Sequence, residues 1–108
     1  MNQIDLSVML HNAARAARLL KSVSNEYRLM VLCQLVEGEK SVGELERLVG
    51  LSQSALSQHL ARLRRENIVH TRRQAQTIYY SLACDDTSRL IKALHDIYCA
   101  KTPRPGKA

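Results

Sequence analysis

A mainly α fold closed by a β-hairpin wing, the winged helix-turn-helix, is predicted by three features of this 108-residue sequence. Apolar residues recur at helical spacing in four successive segments up to Arg65 and again after Asp85. Between them, over residues 68–83, the period drops to two, as paired strands require. Only Leu51 and Ser52 separate Gly50 from the following helix, which makes the tight turn of a helix-turn-helix. The expected order is four helices, a hairpin and a fifth helix, forming one domain over residues 1–101 with a flexible tail over 102–108.

The first helix is expected over residues 5–21, where Leu6, Met9, Leu10, Ala13, Ala17 and Leu20 repeat at helical spacing and the intervening alanines favour a helix. Ser24 is the candidate cap of the second, which runs to about Glu37 and is closed by Gly38. Its segment NEYRLMVLCQLVE is apolar on nearly every side. Leu29, Leu32, Cys33 and Val36 form one stripe and Met30, Val31 and Leu35 fill others, so this helix belongs in the middle of the fold. Ser41 and Glu44 make a capping box before Val42, Leu45, Leu48 and Val49, predicting a short third helix that stops at Gly50.

Ser52 caps the fourth helix, which extends to about Arg65 with Leu56, Leu60 and Leu63 on its packed face. The other side carries Gln53, Ser54, Ser57, Gln58 and Arg62. Gln can pair with adenine, and Ser can meet bases or phosphates, when they sit near the start of a helix lying in the major groove. Strands follow over residues 68–73 and 77–83, the second with Ile78, Tyr80 and Leu82 on one face. Gln74, Ala75 and Gln76 form the tip; without Gly or Pro it is a weak turn, so the wing is expected to be mobile until it binds. Asp85, Asp86 and Thr87 offer caps for the last helix, in which Leu90, Ile91, Leu94, Ile97 and Tyr98 are core-like.

Sixteen Lys and Arg against ten Asp and Glu give a formal charge of +6. Arg62, Arg64, Arg65, Arg72 and Arg73 crowd together with Glu66 as their one acidic neighbour, a distribution suited to a polyanion. No stretch approaches the ~20 apolar residues of a membrane span, and the first residues lack a signal-peptide layout. A soluble, cytoplasmic protein with no membrane partner is expected, with Cys33, Cys84 and Cys99 reduced at rest. Cys99 and His95 lie four apart on one helix, but nothing supplies a third orienting group or an oxyanion site, so no enzymatic activity is expected.

The segment SVGELERLVGLSQSALSQHLARLRRENIVHTRRQAQTIYYSL resembles the helix-turn-helix and wing of the ArsR/SmtB bacterial repressors, particularly in SQSALSQHL and IYYSL. Within that family, NEYRLMVLCQL together with LHDIYC is most similar to the sulfide- and redox-responsive SqrR/BigR branch and the related HlyU-type regulators. The resemblance implies a homodimer formed through the first and last helices, repressing transcription from an imperfect palindrome in double-stranded DNA. Gln53, Ser54, Ser57 and Gln58 would then meet bases and Arg62 the backbone, with Arg72, Arg73 or Gln76 of the wing near phosphates. His59 matches the family's histidine and is expected to be a buried, hydrogen-bonded structural residue.

Cys33 and Cys99 match the two cysteines of the sulfide-responsive branch. The resemblance therefore implies that persulfides, polysulfides or oxidants link them and release the operator. Cys84 has no counterpart there. Metal-sensing relatives carry cysteines beside the third helix or Asp and His ligands along the last one; here Ser41, Val42, Gly43 and Glu44 include no thiol, and His95 and Asp96 lack a second histidine. No metal and no cofactor are expected, and the alternatives are an HlyU-like antirepressor of virulence genes or a metal-responsive repressor.

Overall fold

The computed structural model describes residues 5–98. In chain order the elements are α1 (Leu6–Val23), α2 (Glu26–Val36), β1 (Lys40–Ser41), α3 (Val42–Val49), α4 (Gln53–Arg65), β2 (Val69–Gln74), β3 (Thr77–Leu82) and α5 (Asp85–Tyr98). This is the winged helix-turn-helix that the periodicity predicts, with one addition. The two-residue strand β1 pairs antiparallel with β3, Lys40 opposite Tyr80 and Ser41 opposite Tyr79, so the wing is a three-stranded sheet of order β1-β3-β2. The tail 102–108 and Cys99 lie outside the described residues.

The helix ends follow local chemistry. Ser41 and Glu44 form the full capping box on α3, the Ser41 hydroxyl accepting from the Glu44 N–H at 3.1 Å and the Glu44 carboxylate accepting from the Ser41 N–H at 2.8 Å. Gly50 closes α3 in the left-handed region at φ 80°, and the Ser52 hydroxyl accepts from the Ala55 N–H to open α4. The cap of α2 is Asn25 and not Ser24. Asn25 is extended, and its side-chain oxygen accepts from the N–H groups of Tyr27 and Arg28, whereas Ser24 terminates α1 with its N–H donated to the Lys21 carbonyl. After α4 the chain turns through Asn67 at φ 59°, and the Ile68 N–H donates to the Leu63 carbonyl at 2.8 Å. Asn tolerates that conformation, so this helix is stopped without a glycine.

Helix α2 is the centre of the molecule, packing against α3, α4, α5 and β3. Val31 and Leu32 of α2, Leu45 of α3, Leu56, Leu60 and Leu63 of α4 and Ile91 of α5 are the most deeply buried side chains. The predicted stripe is rotated slightly. Val31, Leu32 and Leu35 are buried while Leu29, Cys33 and Val36 are half-buried, and Arg28, an unexpected core member, is only 8 % exposed.

Helix α1 does not bury its apolar stripe against its own domain. Leu6, Met9, Leu10 and Leu20 stay exposed, and only Ser22 and Val23 at its last turn are buried, with Leu19 packed against the core. Ile97 and Tyr98 at the end of α5 are likewise exposed, contrary to their core-like reading, while Ile91 is buried and Leu94 packs on the core. Among the described residues no helix is long and apolar enough to cross a membrane.

The hairpin is tighter than expected. Gln74 is paired with Thr77, leaving Ala75 and Gln76 alone at the tip, and Ala75 adopts φ 57°. Leu- or Ala-like side chains are disfavoured there by roughly 1–2 kcal/mol because Cβ crowds the carbonyl. Ala75→Gly removes that strain but adds freedom to the unfolded chain, so a net gain of about 0.5 kcal/mol is expected. Ala75→Val is expected to lose about 1 kcal/mol, since a β-branched residue is an outlier at positive φ. Denaturant midpoints of the two variants check the pair.

Candidate nucleic-acid interface

Three buried leucines anchor α4 and thereby fix which of its sides faces outward. With Leu56, Leu60 and Leu63 directed into the core, Gln53, Ser54, Ser57 and Gln58 are all exposed over the first two turns. The hairpin folds back beside them. Gln53 and Ser57 of α4 and Gln76 and Thr77 of the wing line one groove of about 460 Å³ together with Val42, Gly43 and Tyr80. A surface of amides and hydroxyls, reached from both the helix and the wing, presents donors and acceptors without a fixed charge of its own. The sequence places Tyr80 on one face of its strand but gives neither it nor Thr77 a place in the site, because alternation in a strand says which side a residue faces and not what it faces.

The arginines around this groove divide into two groups. Arg73, with Arg64 and Arg65, is exposed. Arg72 and Arg62 are engaged by carboxylates. The Arg72 guanidinium forms a two-pronged pair with Glu39, Nε to Oε2 at 2.9 Å and Nη2 to Oε1 at 2.7 Å. Its Nη1 donates to the Gln74 side chain at 2.8 Å, and the group lies over the Tyr79 ring at 4.6 Å from the centroid. Hydrogen bonding to Arg72 holds the Glu39 carboxyl below the usual carboxylate range, and the same bonds raise Arg72. Arg72 thus clips the loop before β1 onto the wing, and any phosphate reaching it competes with Glu39. A two-residue strand leaves no periodicity to reveal such a contact.

Arg62 turns toward Glu66, with Nε 3.5 Å from Oε2. Glu66 caps the end of α4, and its carboxylate also accepts a hydrogen bond from the Ser22 hydroxyl of α1. That bond, followed by the positive charge of Arg62, holds Glu66 below its ordinary range. His59, about two turns before Glu66, is half-buried and not fully enclosed as expected. It is hydrogen-bonded all the same: Arg28 Nη1 lies 3.3 Å from His59 Nδ1, and the ring stacks on Tyr27 with centroids 6.3 Å apart. An arginine can only donate, so Nδ1 accepts and the ring proton resides on Nε2. Desolvation, then the charges of Arg28 and Arg62, push His59 below its usual value.

The cysteines occupy different settings. Cys33 is half-buried on α2 and lines an apolar cavity of about 400 Å³ with Leu29, Met30, Gln34, Leu94 and Tyr98. Tyr98 immediately precedes Cys99 in sequence. Cys84 is exposed just before α5, where its carbonyl accepts from the Ser88 N–H and its Sγ lies 3.3 Å from Thr87 Oγ1. The hydrogen bond with Thr87 lowers its thiol from the ordinary range.

Residues 25–71 match the bacterial regulatory protein family arsR. The chain is 50% identical over 96 residues to the transcriptional activator HlyU of Vibrio cholerae, covering 89% of each chain. It is 48% identical over 98 residues to a biofilm growth-associated repressor of Agrobacterium fabrum, covering 91% of this chain and 84% of that one. Among solved structures, the transcriptional repressor BigR from Xylella fastidiosa superposes with a TM-score of 0.84 at 44% identity, covering 93% of this chain and 99% of that one. Reduced HlyU from Vibrio cholerae superposes with a TM-score of 0.81 at 52% identity over 84% of this chain and 96% of that one. A helix-turn-helix whose outer face is polar, backed by a basic wing and matched along nearly its whole length by such relatives, places this chain in the arsR family of bacterial regulatory proteins, as a DNA-binding transcriptional regulator.

Proposed function

We propose that this protein is a homodimeric repressor that holds an imperfect palindrome through Gln53, Ser54, Ser57 and Gln58, supported by Arg62, Arg72, Arg73 and Gln76, and lets it go when Cys33 and Cys99 become linked. The apolar side chains that α1 and the end of α5 leave exposed, Leu6, Met9, Leu10, Leu20, Ile97 and Tyr98, supply the surface for pairing two protomers. Two copies of α4 then enter successive major grooves ~34 Å apart.

The observation that carries the sensing half is that Cys33 and Tyr98, the neighbour of Cys99, line one apolar cavity between α2 and α5. A thiolate attacks the outer sulfur of an organic persulfide, taking that sulfur and releasing the organic thiol. The second cysteine then attacks the protein persulfide and expels hydrogen sulfide, leaving a disulfide; longer polysulfides leave bridges of more sulfur atoms, which span a wider gap than the ~7 Å Cα limit of a disulfide. Such a bridge ties α2, on which the helix-turn-helix is built, to the helix that pairs the protomers.

The test uses duplexes selected by the reduced protein from a random library. Polysulfide is expected to weaken binding by about 5- to 150-fold, the usual span of an allosteric coupling. Cys33→Ser and Cys99→Ser are expected to bind as the parent does and to ignore polysulfide, with mass spectrometry locating the linked peptides. Release of both variants equal to that of the parent defeats the sensing reading; peroxide, glutathione disulfide and zinc run in parallel sort the inducer. A second reading is favoured by one specific observation, that a relative named as an activator is as similar as those named as repressors. A promoter reporter whose expression falls on deletion of this chain's gene supports the antirepressor.

A further inference from the structure

We infer that Ser22, Arg28 and Glu66 form the joint that fixes the angle between α1 and the recognition helix α4, making them positioning residues for binding two half-sites at once. The inference rests on the dimeric reading above. Among the described residues, helix α1 buries side chains only in its last turn, Ser22 and Val23, with Leu19 half-buried against the core, while the preceding turns are exposed. Eighteen residues make a lever of about 27 Å. A tilt of about 5° at the buried end therefore carries the far end through roughly 2 Å, a displacement that matters when two rigid recognition helices must match one DNA repeat.

Two polar attachments resist that tilt. On one side the Ser22 hydroxyl donates to Glu66, the residue that caps α4, with its oxygen 3.0 Å from the Arg18 carbonyl oxygen of its own helix. On the other, the buried Arg28 donates from Nε to the Ser22 carbonyl at 2.6 Å and reaches His59 Nδ1 at 3.3 Å through Nη1. His59 and Glu66 are seven positions apart on and just after α4, or about 10 Å along the axis. Both attachments start at Ser22 of α1, one direct and one through Arg28 of α2, and they reach the α4 region at two points separated by that distance, which holds the direction of α4 about Ser22. Arg28 is also a cation removed from water, with Glu66 as the carboxylate that offsets it and Arg62 as the charge that opposes it. Burying such a group costs free energy, and an apolar side chain would fill the site for stability alone, whereas a fork of fixed donors supplies direction.

The test compares Ser22→Ala, Glu66→Ala, their double variant and Glu66→Gln with the parent on two duplexes, a selected palindrome and the same duplex with one half-site scrambled. Ser22→Ala and Glu66→Ala are expected to lose about ten-fold on the palindrome and less than about two-fold on the single half-site. The double variant is expected to lose no more than either single one, as for two groups acting through one bond. Glu66→Ala also removes a negative charge beside the DNA face, so a merely electrostatic effect would strengthen binding to both duplexes, the opposite sign. Glu66→Gln keeps an acceptor for Ser22 and is expected to retain the parent's ratio; it keeps the comparison readable if an alanine variant fails to fold. Variants that keep the parent's ratio, or that lose equally on both duplexes, overturn the joint while leaving a dimeric parent intact. A parent that sediments as a monomer and shows no preference for the palindrome overturns both readings.

Discussion

Ser57→Asp is expected to lower affinity for selected DNA by roughly a hundred-fold while changing stability by less than about 0.5 kcal/mol. Ser57 is exposed, and it lines the groove that α4 shares with the wing. An aspartate there is close to serine in helix propensity and lies in the second turn, where the helix dipole tolerates a negative charge, so the fold has little reason to suffer. Bound DNA changes the balance. Like charges brought together in an interface cost several kcal/mol, and each 1.4 kcal/mol is a factor of ten. Ser57→Ala, which removes one hydroxyl and introduces no repulsion, is expected to lose only about five-fold. Fluorescence anisotropy at a fixed salt concentration measures both, since phosphate neutralisation makes any affinity depend on salt. Binding of Ser57→Asp equal to that of the parent would remove this side of α4 from the DNA.

Most of the path to that groove is legible in the residues themselves. The capping box of Ser41 and Glu44, the stop at Gly50 and the cap at Ser52 each depend on bonds within four residues, so composition and spacing suffice to place α3 and α4. Leu56, Leu60 and Leu63 then set the outward face by geometry alone. The polar contacts that tune the site are a different matter. Glu39 meets Arg72 across thirty-three positions, Ser22 meets Glu66 across forty-four, and Arg28 meets His59 across thirty-one. No local period links such pairs, and an arginine inside an apolar run reads as an exposed interruption until its partners are seen. The exposed face of α1 shows the converse: its stripe was readable as apolar, but helical spacing says that a surface is to be covered and not by which chain.

Leu60→Ala is expected to cost about 2–5 kcal/mol, against the 5–15 kcal/mol that holds a typical domain together. Leu60 is 1 % exposed, between Leu56 and Leu63 on a helix whose packed face meets α2. Its truncation leaves a space that neighbouring leucines on regular helices cannot collapse to fill, so the lost contacts add to the lost burial. Leu60→Met, which conserves volume, is expected to cost less than about 1.5 kcal/mol. Leu48→Ala on α3 is expected to change stability by about 0.5 kcal/mol, because that side chain is 49 % exposed. Urea midpoints should be taken at two protein concentrations, since the stability of a paired chain depends on protomer concentration. Leu60 and Ser57 lie three residues apart, and each step along a helix turns it by about 100°. Ser57 and Leu60 are therefore about 60° apart around the axis, and a one-residue slip of α4 that turned Ser57 toward the core would make Ser57→Asp injure folding. Loss of stability at Leu60 together with loss of binding at Ser57, with folding intact, is the combination that the observed phase predicts, since Leu60 is buried and Ser57 exposed.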